Sequence, residues 1–251
     1  MKVNILASGS GGNCIALTSG ATTILIDAGI AKTKIEKALL EVGIRADDIK
    51  AIFITHAHGD HIKGLPLANK YRIPVYASEG EWKNIHKVDE ELSERLEMFD
   101  GHLLSDDGTP VMEVRPFNVH HDALDPKGYA IHDGTTKASI CLDTGKVDSE
   151  MLEAMMDSTI YIIESNHEPN LVEESDYPNS VKARILSHIG HLSNEQTAEA
   201  LSKLIQGRKE QIYLTHMSQS NNMPSLAELT VVSELRQHGY KKDRDYRIEV
   251  I

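Results

Sequence analysis

Short apolar runs separated by glycine dominate the first part of the chain. Lys2 to Ala7, Cys14 to Thr18 and Thr22 to Ile26 each read as a strand, joined through Ser8-Gly9-Ser10-Gly11-Gly12-Asn13 and Ser19-Gly20. Connections this short predict antiparallel pairing. The period changes over Lys32 to Val42, where Ile35, Ala38, Leu39 and Val42 mark one helical face that stops at Gly43. Ala51 to Thr55 reads as a buried strand, Ile62 to Tyr71 as a helix, Val75 to Ala77 as a short strand and Glu79 to His86 as a helix. Asp89 to Glu94 is an acidic surface segment. Further strands are expected at Val111 to Phe117, Gly128 to His132, Lys137 to Leu142, Thr159 to Ile163, Gln211 to Thr215 and Tyr246 to Val250. Helices are expected at Asp148 to Met156, Asn179 to Ser187, Asn194 to Ile205 behind a cap at Ser193, and Leu226 to Gln237.

The order is thus a β-block with helices, followed by a second one, with no Pro/Ser/Gly linker between them. This predicts an α/β protein with a single domain over residues 1–251, a four-layer αββα sandwich. At 251 residues and 40% hydrophobic, the chain has ample apolar material for such a core. No apolar run approaches the roughly 20 residues that span a bilayer, so no membrane partner is expected, and the N-terminus lacks the apolar core of a signal peptide. Only two cysteines occur, Cys14 and Cys141, without a Cys-x-x-Cys. A disulfide framework and a thiolate zinc site are excluded, which fits a cytoplasmic protein.

Chemistry concentrates where apolar runs end. Ile52-Phe53-Ile54-Thr55 leads into His56-Ala57-His58-Gly59-Asp60-His61, three imidazoles and a carboxylate within six positions. A strand running into a loop delivers such groups rigidly at a sheet edge, and all four bind divalent metals through nitrogen or oxygen. His56 and His58 alternate as strand residues do. Asp60 and His61 follow on a tighter turn and suit a second metal. Other strand-terminal donors are His121, Asp143 and His216, with His120 an alternative to His121 by register. Seven such donors match two metals about 3.5–4 Å apart sharing a carboxylate and a water. The set suits zinc and tolerates manganese or iron. The glycine turn at Ser8 to Asn13 is either a tight connection or a backbone cradle for phosphate, and no Gly-Lys-Ser/Thr makes it a P-loop.

The His56-to-His61 segment resembles the signature of the metallo-β-lactamase fold, a superfamily of two-metal hydrolases. That resemblance implies His56, His58 and His121 on one metal, Asp60, His61 and His216 on the other, and Asp143 as the bridge. It also implies that Asp27, in Ile26-Asp27-Ala28-Gly29, orients the histidine loop. Asp143 stands where the commonest class B β-lactamases have cysteine, which turns the expectation away from antibiotics. Leu6 to Asn13 resembles the opening of the family's phosphodiesterase and nuclease branch. Gly190-His191-Leu192-Ser193-Asn194-Glu195 is similar to the loop of tRNA 3′-processing endonucleases, in which the histidine helps protonate the leaving oxygen and hydroxyls hold phosphate. Glu164 falls where those enzymes pair a carboxylate with that histidine. A carboxylate there would keep His191 able to donate a proton.

End to end, the chain resembles the YycJ/WalJ type within this superfamily, through His121-Asp122-Ala123, Glu164-Ser165-Asn166-His167, His216-Met217-Ser218 and Asn221-Asn222-Met223. The function implied is hydrolysis of phosphodiester bonds, as a DNA 5′-to-3′ exonuclease using two divalent metals. Asp60, His191 and Glu164 are the expected catalytic residues, and Ser193, Asn194 and His167 the expected substrate contacts. Lys182 and Arg184 are a candidate phosphate-facing rim. The formal net charge of −12 pulls the other way, since backbone-wide DNA binding needs many Lys/Arg–phosphate contacts. A local basic rim and bound metals can offset it. The alternative is a small-molecule (cyclic) phosphodiesterase or a glyoxalase II-like thioesterase.

Overall fold

In the computed structural model the first three apolar runs form β1 (Lys2–Ala7), β2 (Cys14–Ser19) and β3 (Thr22–Ile26), paired antiparallel as their short turns require. The structure describes residues 1–104 and 108–251. After α1 (Lys32–Glu41), the strands β4 (Ile49–Phe53), β5 (Val75–Ala77) and β6 (Ser93–Arg95) extend the sheet in parallel. Its six strands lie side by side in sequence order. Between β4 and β5 run α2 (Gly59–Ile62) and α3 (Pro66–Tyr71), and α4 (Glu79–Trp82) follows β5. The antiparallel pair β7 (His102–Leu104) and β8 (Pro110–Asn118) comes next.

The continuous helix expected over Ile62 to Tyr71 is broken at Gly64. The Gly64 N–H donates to the Ala28 carbonyl at 2.6 Å, and a Cβ there would lie 2.3 Å from the Ile30 oxygen. This close approach takes residue 64 out of the helix, and Pro66 restarts it at the first turn, where its missing N–H costs nothing. The helix expected to reach His86 stops at Trp82, and the chain continues in i→i+3 turns to Ile85.

β9 (Lys127–His132) and β10 (Lys137–Cys141) are followed by α5 (Ser149–Met155), β11 (Ile160–Glu164), α6 (Pro169–Glu174), α7 (Asn179–Ile185), α8 (Asn194–Leu204), β12 (Glu210–Thr215), α9 (Pro224–Gln237) and β13 (Tyr246–Val250). Among the described residues the second sheet has seven strands, again in sequence order from β7 to β13, and β10 through β13 are parallel. The strand-helix alternation of this region is what a parallel block needs. Ser193 caps α8 in a capping box, its hydroxyl accepting the Gln196 N–H and its own N–H donating to the Gln196 side chain. α6 was not expected from sequence, because it is short and buries only Val172.

Packing divides the chain into two compact units. One comprises Met1–Pro116, Ala123–Lys127 and Ile131–Thr135; the other comprises Phe117–Asp122, Gly128–Ala130 and Thr136–Ile251. In the first, Leu25, Ile52 and Val75 from the sheet pack with Ile35 and Leu39 of α1 and Leu67 of α3. In the second, Tyr161, Ile163, Ile212 and Leu214 pack with Leu201 and Leu204 of α8 and Val231 and Leu235 of α9. Among the described residues no helix is long and apolar enough to cross a membrane.

Leu201 is fully buried while Leu40 is 68% exposed. Leu201→Ala is expected to lower unfolding free energy by about 2–5 kcal/mol in urea denaturation, through lost burial and the cavity left behind. Leu40→Ala should change it by less than about 0.5 kcal/mol.

Candidate metal centre

The histidine loop of the first unit is built on one buried carboxylate. β4 ends where the Thr55 N–H leaves the strand ladder and donates to Asp27 Oδ1 at 2.8 Å, while the Thr55 hydroxyl donates to Oδ2 at 2.8 Å. His61 Nδ1 lies 2.7 Å from the same Oδ2. Asp27 follows β3 with φ at 60° and has no solvent exposure, so these contacts are what make its burial tolerable. Facing a carboxylate, Nδ1 of His61 carries the proton and Nε2 keeps a lone pair; the Asn13 amide, 3.1 Å away, donates to it.

The same reasoning assigns His56. The Thr55 hydroxyl gives its single proton to Asp27, so it accepts from His56 Nδ1 at 3.1 Å. The His56 lone pair is then on Nε2, which lies 3.0 Å from His58 Nδ1. Asp60 Oδ2 lies 3.7 Å from His61 Nε2. Glu81, 1% exposed, clamps the loop from outside, accepting the Ala57 N–H at 2.7 Å and the Asp125 N–H at 2.6 Å.

In the second unit, Asp143, Glu164, His191 and His216 each offer one ligand atom within 4.8 Å of the others. Asp143 and His216 sit just past β10 and β12 in left-handed backbone, with φ of 44° and 51°. His216 Nδ1 is 2.6 Å from Asp143 Oδ1 and 3.2 Å from Glu164 Oε2. Glu164 ends β11 with no exposure; its Oε1 accepts the N–H groups of Thr144 at 2.7 Å and Leu192 at 3.2 Å. Its Oε2 lies 3.0 Å from His191 Nδ1. Burial opposes charge on Glu164, but His191, with hydrogen bonds from His191 and His216, outweighs it and holds the carboxyl below its ordinary range. Burial likewise opposes the imidazolium of His191, and Glu164 outweighs it, raising that ring's pKa.

His121 Nδ1 faces the Gly190 carbonyl at 3.1 Å, and its Nε2 lies 3.2 Å from Asp122 Oδ1. Burial lowers its pKa and favours the neutral, ligating form. His120 lies elsewhere, 2.5 Å from Asp148, the cap of α5. Arg184 forms a bidentate pair with Asp122 and Lys182 donates to the Glu173 carbonyl, so both have internal partners. Asn194 is fully buried, its side chain bonded to Ser165 and Asn222. His167 is 1% exposed, its Nδ1 has no hydrogen-bond partner among the described residues, and burial pushes its pKa down to about 4. Burial also pushes both cysteine thiols up, leaving thiolate out of the donor chemistry. Neutral imidazoles with oriented lone pairs, beside carboxylates, are a donor set that fits a divalent ion.

Sequence reasoning missed Glu81, and it marked Asn13 and Asn222 only as members of motifs, without their contacts to His61 and Asn194. Those partners lie far along the chain.

Comparison with known proteins gives the family. Residues 22–217 match the family described as "Beta-lactamase superfamily domain". The chain belongs to this superfamily. It is 36% identical to "Exodeoxyribonuclease WalJ" of Streptococcus pneumoniae serotype 2 over 254 aligned positions, covering 98% of this chain and 93% of that protein. It is 36% identical to "Exodeoxyribonuclease YycJ" of Bacillus anthracis, covering 96% and 91%. Among solved structures, the metallo-beta-lactamase fold protein YhfI from Bacillus subtilis aligns with a TM-score of 0.73 at 14% identity, over 99% of this chain and 95% of that one. The mixed α/β architecture with two sheets is therefore that of the metallo-β-lactamase fold, and the family's use of divalent metal agrees with the clustered donors.

Asp27→Asn keeps the shape but presents an N–H to His61 Nδ1 and favours the wrong tautomer. Calorimetric zinc titration is expected to read an affinity about 10–100-fold weaker than wild type. An unchanged affinity would show that His61 does not depend on Asp27.

Proposed function

We propose that the chain is a metal-dependent phosphodiesterase of the nuclease class, a cytoplasmic DNA 5′-to-3′ exonuclease acting as a single domain. The observation that carries this is full-length similarity to two proteins named exodeoxyribonucleases, combined with the all-nitrogen-and-oxygen donor set. Small-molecule phosphodiesterase and thioesterase readings are not favoured by those relatives.

The proposed ligands of two divalent ions are His56, His58, Asp60 and His61 with His121, Asp143 and His216, as the family resemblance implies; zinc, manganese and iron all suit such donors. When bound, the ions supply Lewis acidity at the phosphate and a water of lowered pKa. The chain's own groups do the rest. Asp27 and Thr55 hold the rings of His61 and His56 in ligating tautomers. Asp60 is the proposed proton acceptor. His191, kept protonated by Glu164, donates to the departing oxygen. Glu164 is a positioning residue, since both its oxygens are engaged inside the fold. Ser193 and His167 are the proposed substrate contacts, and Asn194 holds their loop.

Manganese-loaded protein is expected to degrade end-labelled DNA, and chelator or His58→Ala should abolish this while circular dichroism is retained. His191→Ala should slow it by about 10²–10⁴-fold. Binding to longer DNA should weaken steeply with salt. A metal-loaded protein that leaves both DNA and bis-p-nitrophenyl phosphate intact contradicts the assignment.

A further inference from the structure

Beside Asp60 the first unit contains a cavity of about 430 Å³, within the roughly 300–1,000 Å³ of small-ligand pockets. One wall is bare backbone. Asn13 N donates to the Asp60 carbonyl at 2.8 Å and Gly29 N to the Asn13 carbonyl at 2.7 Å, tying the glycine turn to the metal loop. A Cβ at Gly29 would lie 1.6 Å from the Asp60 oxygen, so this seam admits no side chain. Gly11 also lines the cavity, yet a Cβ there would meet nothing within 4 Å: it faces open space.

The rest of the lining includes Asn84 and His86 beside an apolar group and two lysines. Ile62, Leu65 and Ile85 form an apolar surface. Lys63 and Lys87 are exposed and, among the described residues, form no ion pair. In a chain with a net charge of −12, two cations without acidic partners at one opening mark a place for an anion. The turn adds to this: the N–H groups of Gly9, Gly12 and Asn13 are used internally, whereas Ser10 and Gly11 donate no hydrogen bond among the described residues. Asp60 is the acidic lining residue and disfavours an anion held against it. The charge of the ligand therefore belongs with the lysines, and its uncharged, flat part with the isoleucines and leucine.

We propose that this cavity takes one nucleotide of the strand being degraded, its base against Ile62, Leu65 and Ile85 and its phosphate with Lys63 and Lys87. This rests on the nuclease reading, and deepens it by placing a nucleotide subsite next to the metal loop. The Ser8-to-Asn13 turn then combines both roles weighed from sequence: a tight connection whose exposed N–H groups also face phosphate.

The test is calorimetric titration of dAMP and deoxyadenosine into the full chain in EDTA, so that metal chemistry plays no part. Wild type is expected to bind dAMP. Gly11→Leu, whose Cβ would meet no neighbour within 4 Å, should weaken binding of both ligands at least about tenfold. A double variant, Lys63→Glu with Lys87→Glu, should weaken dAMP by a similar factor and leave deoxyadenosine unchanged. Thermal melting verifies folding, and the lysine variant provides an independent route if Gly11→Leu does not fold. Degradation of end-labelled DNA is measured in parallel with manganese. Nucleotide binding sensitive to these variants without DNA degradation would keep the subsite and remove the nuclease reading. DNA degradation with no dAMP binding, or with binding equal in all three proteins, would overturn the subsite and leave the nuclease reading standing.

Discussion

A carboxylate without solvent exposure must find its hydrogen-bond donors inside the protein, and this constraint organises both candidate ligand clusters. Asp27 takes its donors from Thr55 and His61; Glu164 takes its donors from Thr144, Leu192 and His191. In each case the donors belong to loops that carry candidate ligand groups. Burying the acid therefore fixes the loop, and fixing the loop fixes which ring nitrogen keeps its lone pair. Glu81 repeats the device one layer further out.

The parallel strands make this arrangement possible. β3, β4, β10, β11 and β12 all end in polar residues that bend away from the ladder, and Asp27, Asp143 and His216 do so through left-handed backbone. Residues in that region are strained unless the surroundings hold them, and here the short contacts of their side chains supply that hold. Rigid sheet ends with oriented rings are the preorganised support that a metal site requires. They also answer the charge paradox. A net charge of −12 opposes DNA at long range, yet the chemistry proposed depends on local groups: the ligands, His191 with Glu164, and lysines near Asp60 that form no ion pair among the described residues.

Much of this was legible in the linear pattern. Every strand expected from apolar runs between glycines is present, because short apolar runs bounded by turn residues suit strands, and those at β3 and β11 are buried throughout. The ligand candidates were legible because they sit at strand ends, where polar residues after an apolar run need an explanation. Tertiary contact hid the rest. Gly64 looked compatible with a helix until its N–H was required by Ala28. Asn194 looked like a phosphate contact in a helix cap, but its amide is locked into Asn222 and Ser165, partners 28 and 29 residues away. Glu81 gave no signal, since an acidic residue in a short helix usually faces water.

The central claim is that the proposed ligands serve two divalent ions. Native mass spectrometry of zinc-loaded protein tests it by counting. Two ions per wild-type chain and one in each of His58→Ala and His216→Ala is the predicted result; a single ion in wild type, or two retained in both variants, would contradict it.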